Sequence, residues 1–157
     1  MVLQLTPLTP EAFAPYGQVL MAEGSQPERR EWAAQVDNLR TDSRANVTFM
    51  SLEPVHYPVQ VTALERHPFS HQIFVPLNGT THLVLVCPSR DDGSPELSKC
   101  VVFEATGGQS VNYNANIWHA PRTVVHEPGA FIMLRWDNGT AADTELFALD
   151  PPITVKQ

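Results

Sequence analysis

The sequence predicts an all-β barrel with one short helix near its start, and three observations carry that prediction. Fourteen prolines and eight glycines punctuate 157 residues, which favours many short strands over a few long helices. From residue 46 onward, β-branched and aromatic residues recur in short alternating runs bounded by turn residues. Hydrophobic residues make up 43% and charged residues 17% of the chain, a composition that buries a core rather than staying disordered. This length fits one domain, residues 1–157.

The elements follow in order. Thr9 is a good N-cap, Pro10 suits the first helical position and Gly17 supplies a stop, while Pro15 confines the helix to little more than one turn. Residues 21–44 are polar and mixed, with loops and one strand expected at 32–36. Residues 46–52 alternate, with Val47, Phe49 and Ser51 on one side and Thr48, Met50 and Leu52 on the other. Residues 59–65 alternate too, and 73–77 are rich in β-formers. Asn78-Gly79 marks a turn before a buried strand at 82–87. A polar loop at 88–98 leads to a strand at 100–104. Gly107-Gly108 turns into a strand at 110–113, and strands at 122–125 and 130–136 flank Glu127-Pro128-Gly129. Short strands at such spacing form a sandwich or a barrel, and a barrel also removes exposed edges.

The formal net charge of −7 sets nucleic acid and anionic lipid aside as partners. It does not exclude a small anion, because one local cation outweighs a distant, screened field. No stretch approaches the roughly 20 apolar residues of a membrane helix, and residues 1–7 lack the basic and apolar blocks of a signal peptide. A cytoplasmic location is expected. Cys87 and Cys100 flank a hairpin loop and are expected to be reduced thiols; no CxxC spacing supports a zinc site.

Two regions carry chemistry. In Leu64-Glu65-Arg66-His67-Pro68, strand alternation puts Val59, Val61, Ala63, Glu65 and His67 on one face. If that face is the barrel interior, a carboxylate and an imidazole point into an apolar cavity. That is costly unless they are paired or hold a metal. Arg66 then faces away, as an exterior ion pair or as a substrate contact. In the second region, residues 107–121, His119 follows an amide-rich turn. Asn112, Asn114 and Asn116 there offer donors and acceptors suited to a urea or a carboxylate. His56, His82 and His126 read as surface or packing residues, and Tyr113 as a hydrogen-bond donor in the pocket or a buried structural tyrosine.

These regions resemble the cupins. Gln72 stands seven residues before Gly79, in the place of the cupin motif's acid; His67 takes the place of its second histidine and Glu65 of its first. Gly108 followed eleven residues later by His119 matches the second motif. The substitutions narrow the resemblance. Glu65-Arg66-His67-Pro68, Gln72-Ile73-Phe74-Val75-Pro76, Val111-Asn112-Tyr113 and Trp118-His119 together are similar to the ureidoglycolate lyases, as are Leu5-Thr6-Pro7-Leu8 and residues 11–17. His71, Ala120 and residues 134–139 depart from that pattern.

The resemblance implies a cupin-type double-stranded β-barrel (jelly roll) and cleavage of (S)-ureidoglycolate to glyoxylate and urea. It also implies a divalent metal ion, nickel (Ni2+) being the one named, and a homodimer. The implied metal ligands are His67 and His119, helped by Glu65 or Gln72. Gln72 serves equally as an amide that recognises substrate, and Glu65 as a carboxylate orienting the ligands from behind. Glu65, His67 and His119 are the expected catalytic residues, with Glu65 or a metal-bound hydroxide as the base. Gln72, Asn112, Tyr113, Asn116 and Arg66 are the expected substrate contacts. Another metal-dependent cupin enzyme and a non-catalytic small-molecule-binding cupin are the alternatives.

Overall fold

The computed structural model describes every residue except Glu23 and Ser25. Strands β1 (Val2–Gln4) and β2 (Thr6–Pro7) precede helix α1 (Pro10–Phe13) and β3 (Gly17–Leu20). After an irregular segment come β4 (Arg44–Leu52), β5 (Val59–Arg66), β6 (Gln72–Pro76) and β7 (His82–Cys87). Then follow β8 (Val101–Ala105), β9 (Ser110–Tyr113), β10 (Trp118–His119), β11 (Thr123–Val124), β12 (Gly129–Asp137) and β13 (Glu145–Lys156). Among the described residues, no helix is long and apolar enough to cross a membrane.

The strands make two sheets. One runs β1-β13-β5-β10-β7-β8-β2, with β11 also paired to β7; the other runs β3-β9-β6-β12-β4. β1 and β2 sit at opposite edges of the first sheet, yet only Leu5 separates them in the chain. The sheet therefore curls until its edges nearly meet, and the fold is the all-β barrel of short strands that the punctuation allows, cupin-like as the resemblance implies.

Every residue of β7 is buried, because each of its faces looks into a core. Leu83, Leu85 and Cys87 pack with Val59, Val61, Leu64, Val102 and Ile153, all contributed by the curled sheet itself. Val84 and Val86 pack on the opposite side with Phe74, Tyr113, Phe131 and Met133 of the second sheet, and with Phe13. Burial on both faces explains an unbroken apolar run where a half-buried strand would alternate.

Helix α1 is one turn, as Pro15 requires. The Thr9 hydroxyl accepts the Ala12 N–H at 3.2 Å, and Phe13 is fully buried edge-on to Tyr113, ring centroids 5.7 Å apart. Gly17 does more than stop the helix. It opens β3 opposite Tyr113, where a Cβ would lie 1.9 Å from the Asn112 carbonyl oxygen. β4 presents Thr48, Met50 and Leu52 inward and leaves Val47, Phe49 and Ser51 exposed, as its alternation predicts. Cys87 and Cys100 are free and buried. The Cys100 sulfur beside it, together with burial, pushes the Cys87 thiol up.

Two expectations are corrected and one element is added. Residues 32–36 form no strand. Side chains capture that segment's carbonyls in place of a ladder: Asn112 Nδ2 and His71 Nδ1 reach Gln35 O at 2.7 and 3.0 Å, and Trp136 Nε1 donates to Val36 O at 2.8 Å. The addition is an element for which the sequence carried no expectation: residues 145–156 form the longest strand, its alternation hidden by Asp150-Pro151-Pro152. Finally, the alternation of β5 breaks between Val61 and Leu64, where Leu149–Pro152 of β13 stand opposite Thr62 alone. Val59 and Val61 therefore face the core of the curled sheet. Glu65, paired with His119, faces the other side.

Candidate functional site

The site forms where β10 wedges between β5 and β7. His119 pairs with Glu65 on one side and with Val86 on the other. Cross-strand partners share a face, so Glu65 and His119 both point between the two sheets. His67 follows β5 directly, and the Asn116 N–H donates to its carbonyl at 2.9 Å. Asn116 takes a left-handed φ of +70°, which turns the chain back toward β10.

Glu65, His67 and His119 each bring one ligand-type atom to a common point, all within 4.8 Å of one another. Glu65 Oε1 lies 3.5 Å from His119 Nε2 and 3.9 Å from His67 Nε2. The two imidazoles are 3% and 2% exposed, so their orientation is fixed by protein groups. His67 Nδ1 lies 2.9 Å from the Asp143 carbonyl and His119 Nδ1 2.9 Å from the Ile117 carbonyl. A carbonyl oxygen only accepts, so these two contacts favour the tautomer with the proton on Nδ1 and the lone pair on Nε2. His119 Nε2 is buried and makes no hydrogen bond. Two neutral imidazole lone pairs and one carboxylate oxygen converging on a point are a donor set for a divalent transition metal, with carbonyls behind the rings that fix their tautomers.

The electrostatics agree. Burial, reinforced by His119 and Arg135, pushes His67 down to about 3, so its ring is neutral at physiological pH. Burial alone would lift Glu65. The His119 ring against it and the Arg135 charge nearby outweigh that and hold the carboxyl below its ordinary value. Glu65 is therefore an anion at neutral pH.

Around this triad stand three further groups. Gln72 pairs with Tyr113 on one side and Arg135 on the other, so all three face the same interior. The Gln72 Oε1 atom is buried without a hydrogen-bond partner. The Tyr113 ring stacks on His119, centroids 4.3 Å apart and planes 11° from parallel, and its hydroxyl accepts a hydrogen bond from Arg122 at 3.2 Å. Burial raises its pKa, so the phenol stays neutral. Arg135 Nη1 lies 2.8 and 3.2 Å from the two His67 nitrogens, and Arg135 Nε donates to Asp137 at 3.0 Å. Arg135 also lines an open cleft of about 700 Å³ together with Asp42, Arg44, Asn46, Asp137 and Asp143. It thus joins the cleft to the triad.

Of the residues expected at the site, Glu65, His67, His119, Gln72 and Tyr113 come together, and three others lie elsewhere. Arg66 turns to the far side of β5, where it pairs with Glu145 at 2.6 Å, donates to Gly93 O at 2.8 Å and covers the Trp118 ring. Asn112 faces away from Tyr113 and donates to Gln18 Oε1 and Gln35 O. Asn116 is exposed at its turn and contributes its backbone. Arg135 was not anticipated. Its signal was present, because it continues the inward parity of Phe131 and Met133 along β12.

His82, at the far end of the same core, is also pushed down to about 3 by burial and the Arg122 charge. In the unfolded chain both His67 and His82 protonate as pH falls through 6.5, whereas in the folded protein they resist until about 3. Their contribution to stability is thus complete above pH 6.5 and is lost as pH falls toward 3. Each histidine adds at most ~1.4 kcal/mol per pH unit within that window. Urea unfolding in chelator between about pH 7 and 4.5 should show this slope, and His82→Gln should reduce it. A flat profile in wild type would count against neutral burial of both rings.

The comparisons with known proteins agree with the geometry. The family model described as ureidoglycolate lyase matches residues 1–156. A protein of Brucella anthropi named ureidoglycolate lyase is 36% identical over 140 residues, covering 84% of this chain and 81% of its own. Those of Pseudomonas paraeruginosa and Pseudomonas savastanoi pv. phaseolicola, with the same name, are 34% and 32% identical; they cover 94% and 95% of this chain and 92% and 95% of theirs. With its full-length match and its converging Glu65, His67 and His119, the chain belongs to the ureidoglycolate lyase family.

Proposed function

We propose that this chain cleaves (S)-ureidoglycolate to glyoxylate and urea, using a divalent metal, nickel in the first instance, held by Glu65, His67 and His119. The observation that carries the reading is the convergence of two buried Nε2 lone pairs on an ionised carboxylate. Those three residues would hold the ion, which when bound would supply Lewis acidity at the substrate hydroxyl.

The protein's own groups do the rest. The substrate carbon carries a hydroxyl, a carboxylate and a urea nitrogen. Cleavage takes the hydroxyl proton, forms the aldehyde C=O, breaks the C–N bond and returns a proton to nitrogen. Glu65, held ionised, accepts the hydroxyl proton and hands it to the departing urea, so one carboxyl balances the reaction without water. The unpartnered Gln72 Oε1 receives urea N–H groups. The Arg135 guanidinium, at the cleft, takes the carboxylate. Tyr113, stacked on His119, holds that ring in place.

The same reading includes a homodimer. Its support is the outer face of the second sheet, where Phe49, Ile132 and Val75 stand side by side in register, with Phe49 64% and Val75 37% exposed. The decisive experiment is urea release by purified protein with its metal content measured. Urea and glyoxylate should appear from ureidoglycolate, and neither should appear from allantoate. Inactivity on both substrates in metal-loaded protein would overturn the reading.

A further inference from the structure

His67 Nδ1 faces the Asp143 carbonyl at 2.9 Å, with Thr144 Oγ1 at 3.2 Å and Arg135 Nη1 at 2.8 Å beside it, and of these only the carbonyl is purely an acceptor for its proton. That carbonyl lies in the turn between β12 and β13, a short 3-10 segment (Ala141–Asp143) of a kind that holds its shape poorly unaided. The Asp143 carboxylate organises the turn. Its Oδ1 accepts the Asn138 N–H at 3.1 Å and its Oδ2 accepts the Gly139 and Thr140 N–H groups at 2.7 and 3.1 Å. The Arg40 guanidinium closes on Oδ1 from the other side.

Arg40 is itself placed by the segment that follows His67. Its guanidinium lies 5.1 Å from the centre of the Phe69 ring, and the Leu39 N–H donates to Phe69 O at 2.8 Å. Arg40 and Asp143 are 12% and 8% exposed at their side chains, so water offers little in exchange for a lost contact. The Asp143 side chain lines the outer cleft beside Arg135, and the pair stands behind His67 rather than beside Glu65 and His119.

We propose that Asp143 and Arg40 are positioning residues for His67: their buried ion pair fixes the 138–144 turn, whose Asp143 carbonyl sets the His67 proton on Nδ1 and aims Nε2 at Glu65 and His119. The inference rests on the reading of the triad as a metal site, and it extends that site by two residues that no ligand pattern contains. An anionic carboxylate gathering three N–H groups and a guanidinium is rigid because every lone pair is taken. Groups that orient a metal-binding histidine change metal affinity by about 10–100-fold when removed.

The test uses the full chain and two variants of near-native size, Asp143→Asn and Arg40→Met, with nickel(II) as the probe. Nickel affinity is read by chelator competition, and the His67 tautomer by nitrogen NMR of the metal-free protein. Both variants should bind nickel about tenfold or more weakly, and His67 should shift from a pure Nδ1–H form to a mixture. Ile153→Val, in the core of the curled sheet, serves as the stability control. It should lower Tm while leaving both the affinity and the tautomer unchanged. An unchanged His67 tautomer in folded variants overturns the proposal whatever nickel does. Wild type that takes up no nickel would overturn the metal reading instead, and the tautomer comparison would still decide this one.

Discussion

Replacing His67 or His119 with alanine is expected to lower turnover by more than about a hundredfold, and replacing both should cost little more than either alone. The floor follows from the geometry. Loss of a group that only orients a ligand already costs about 10–100-fold, and on the proposed reading these two are the ligands themselves. The lack of additivity follows from shared function, because residues that serve one ion act as a unit. Packing residues would behave otherwise. Both rings are buried, so each truncation also leaves a cavity and lowers Tm. If that were their whole role, stability losses would add and the folded fraction would turn over normally. The measurement is turnover, Tm and bound nickel for the two single variants, the double variant and His56→Ala, whose side chain is exposed. Near-normal turnover in either folded single variant would remove the site.

Glu65→Gln is expected to lose about 10²–10⁴-fold in kcat, the range of a positioned acid–base group. The amide keeps the size of the carboxyl and one oxygen toward His119, so the fold should hold. It cannot take the hydroxyl proton. The wild-type carboxyl is held below its ordinary pKa by the groups around it, so wild-type turnover should be flat from neutral pH downward until that carboxyl protonates. The residual activity of the variant should lack this acid limb. Folded, nickel-loaded Glu65→Gln with wild-type kcat would place the base elsewhere.

Glu65 and His67 were legible in the sequence as two strand residues of one parity, and Gln72 and His119 through the resemblance to the cupin motifs. The residues that failed to join them failed for reasons of parity. Arg66 adjoins Glu65, and Asn112 adjoins Tyr113, so on a strand only one of each pair can look inward. For Glu65 and Arg66 the alternation already pointed Arg66 outward, whereas for Asn112 and Tyr113 the choice waited on the pairings of β9 with β3 and β6. The break in β5 was hidden for the same reason, since it answers an irregularity in β13 rather than anything in β5. Arg135 could have been read from its parity with Phe131 and Met133. The Arg40–Asp143 pair could not, because it joins residues 103 apart in the chain through a turn whose own sequence reads as surface.

The pairing of β1 with β13 also bears on how the molecule assembles. Val2 lies beside Thr154, and Thr6 beside Phe103, both in parallel register. These contacts form only when segments far apart in the chain meet, so loop-closure entropy opposes them before any burial rewards them. The curled sheet can therefore complete itself only late. Until residues 145–156 have docked, β5 offers an open edge beside Glu65, and the strand that begins the chain has no parallel neighbour to receive it. Folding intermediates that lack the β13 contacts therefore carry an unfilled sheet edge beside Glu65.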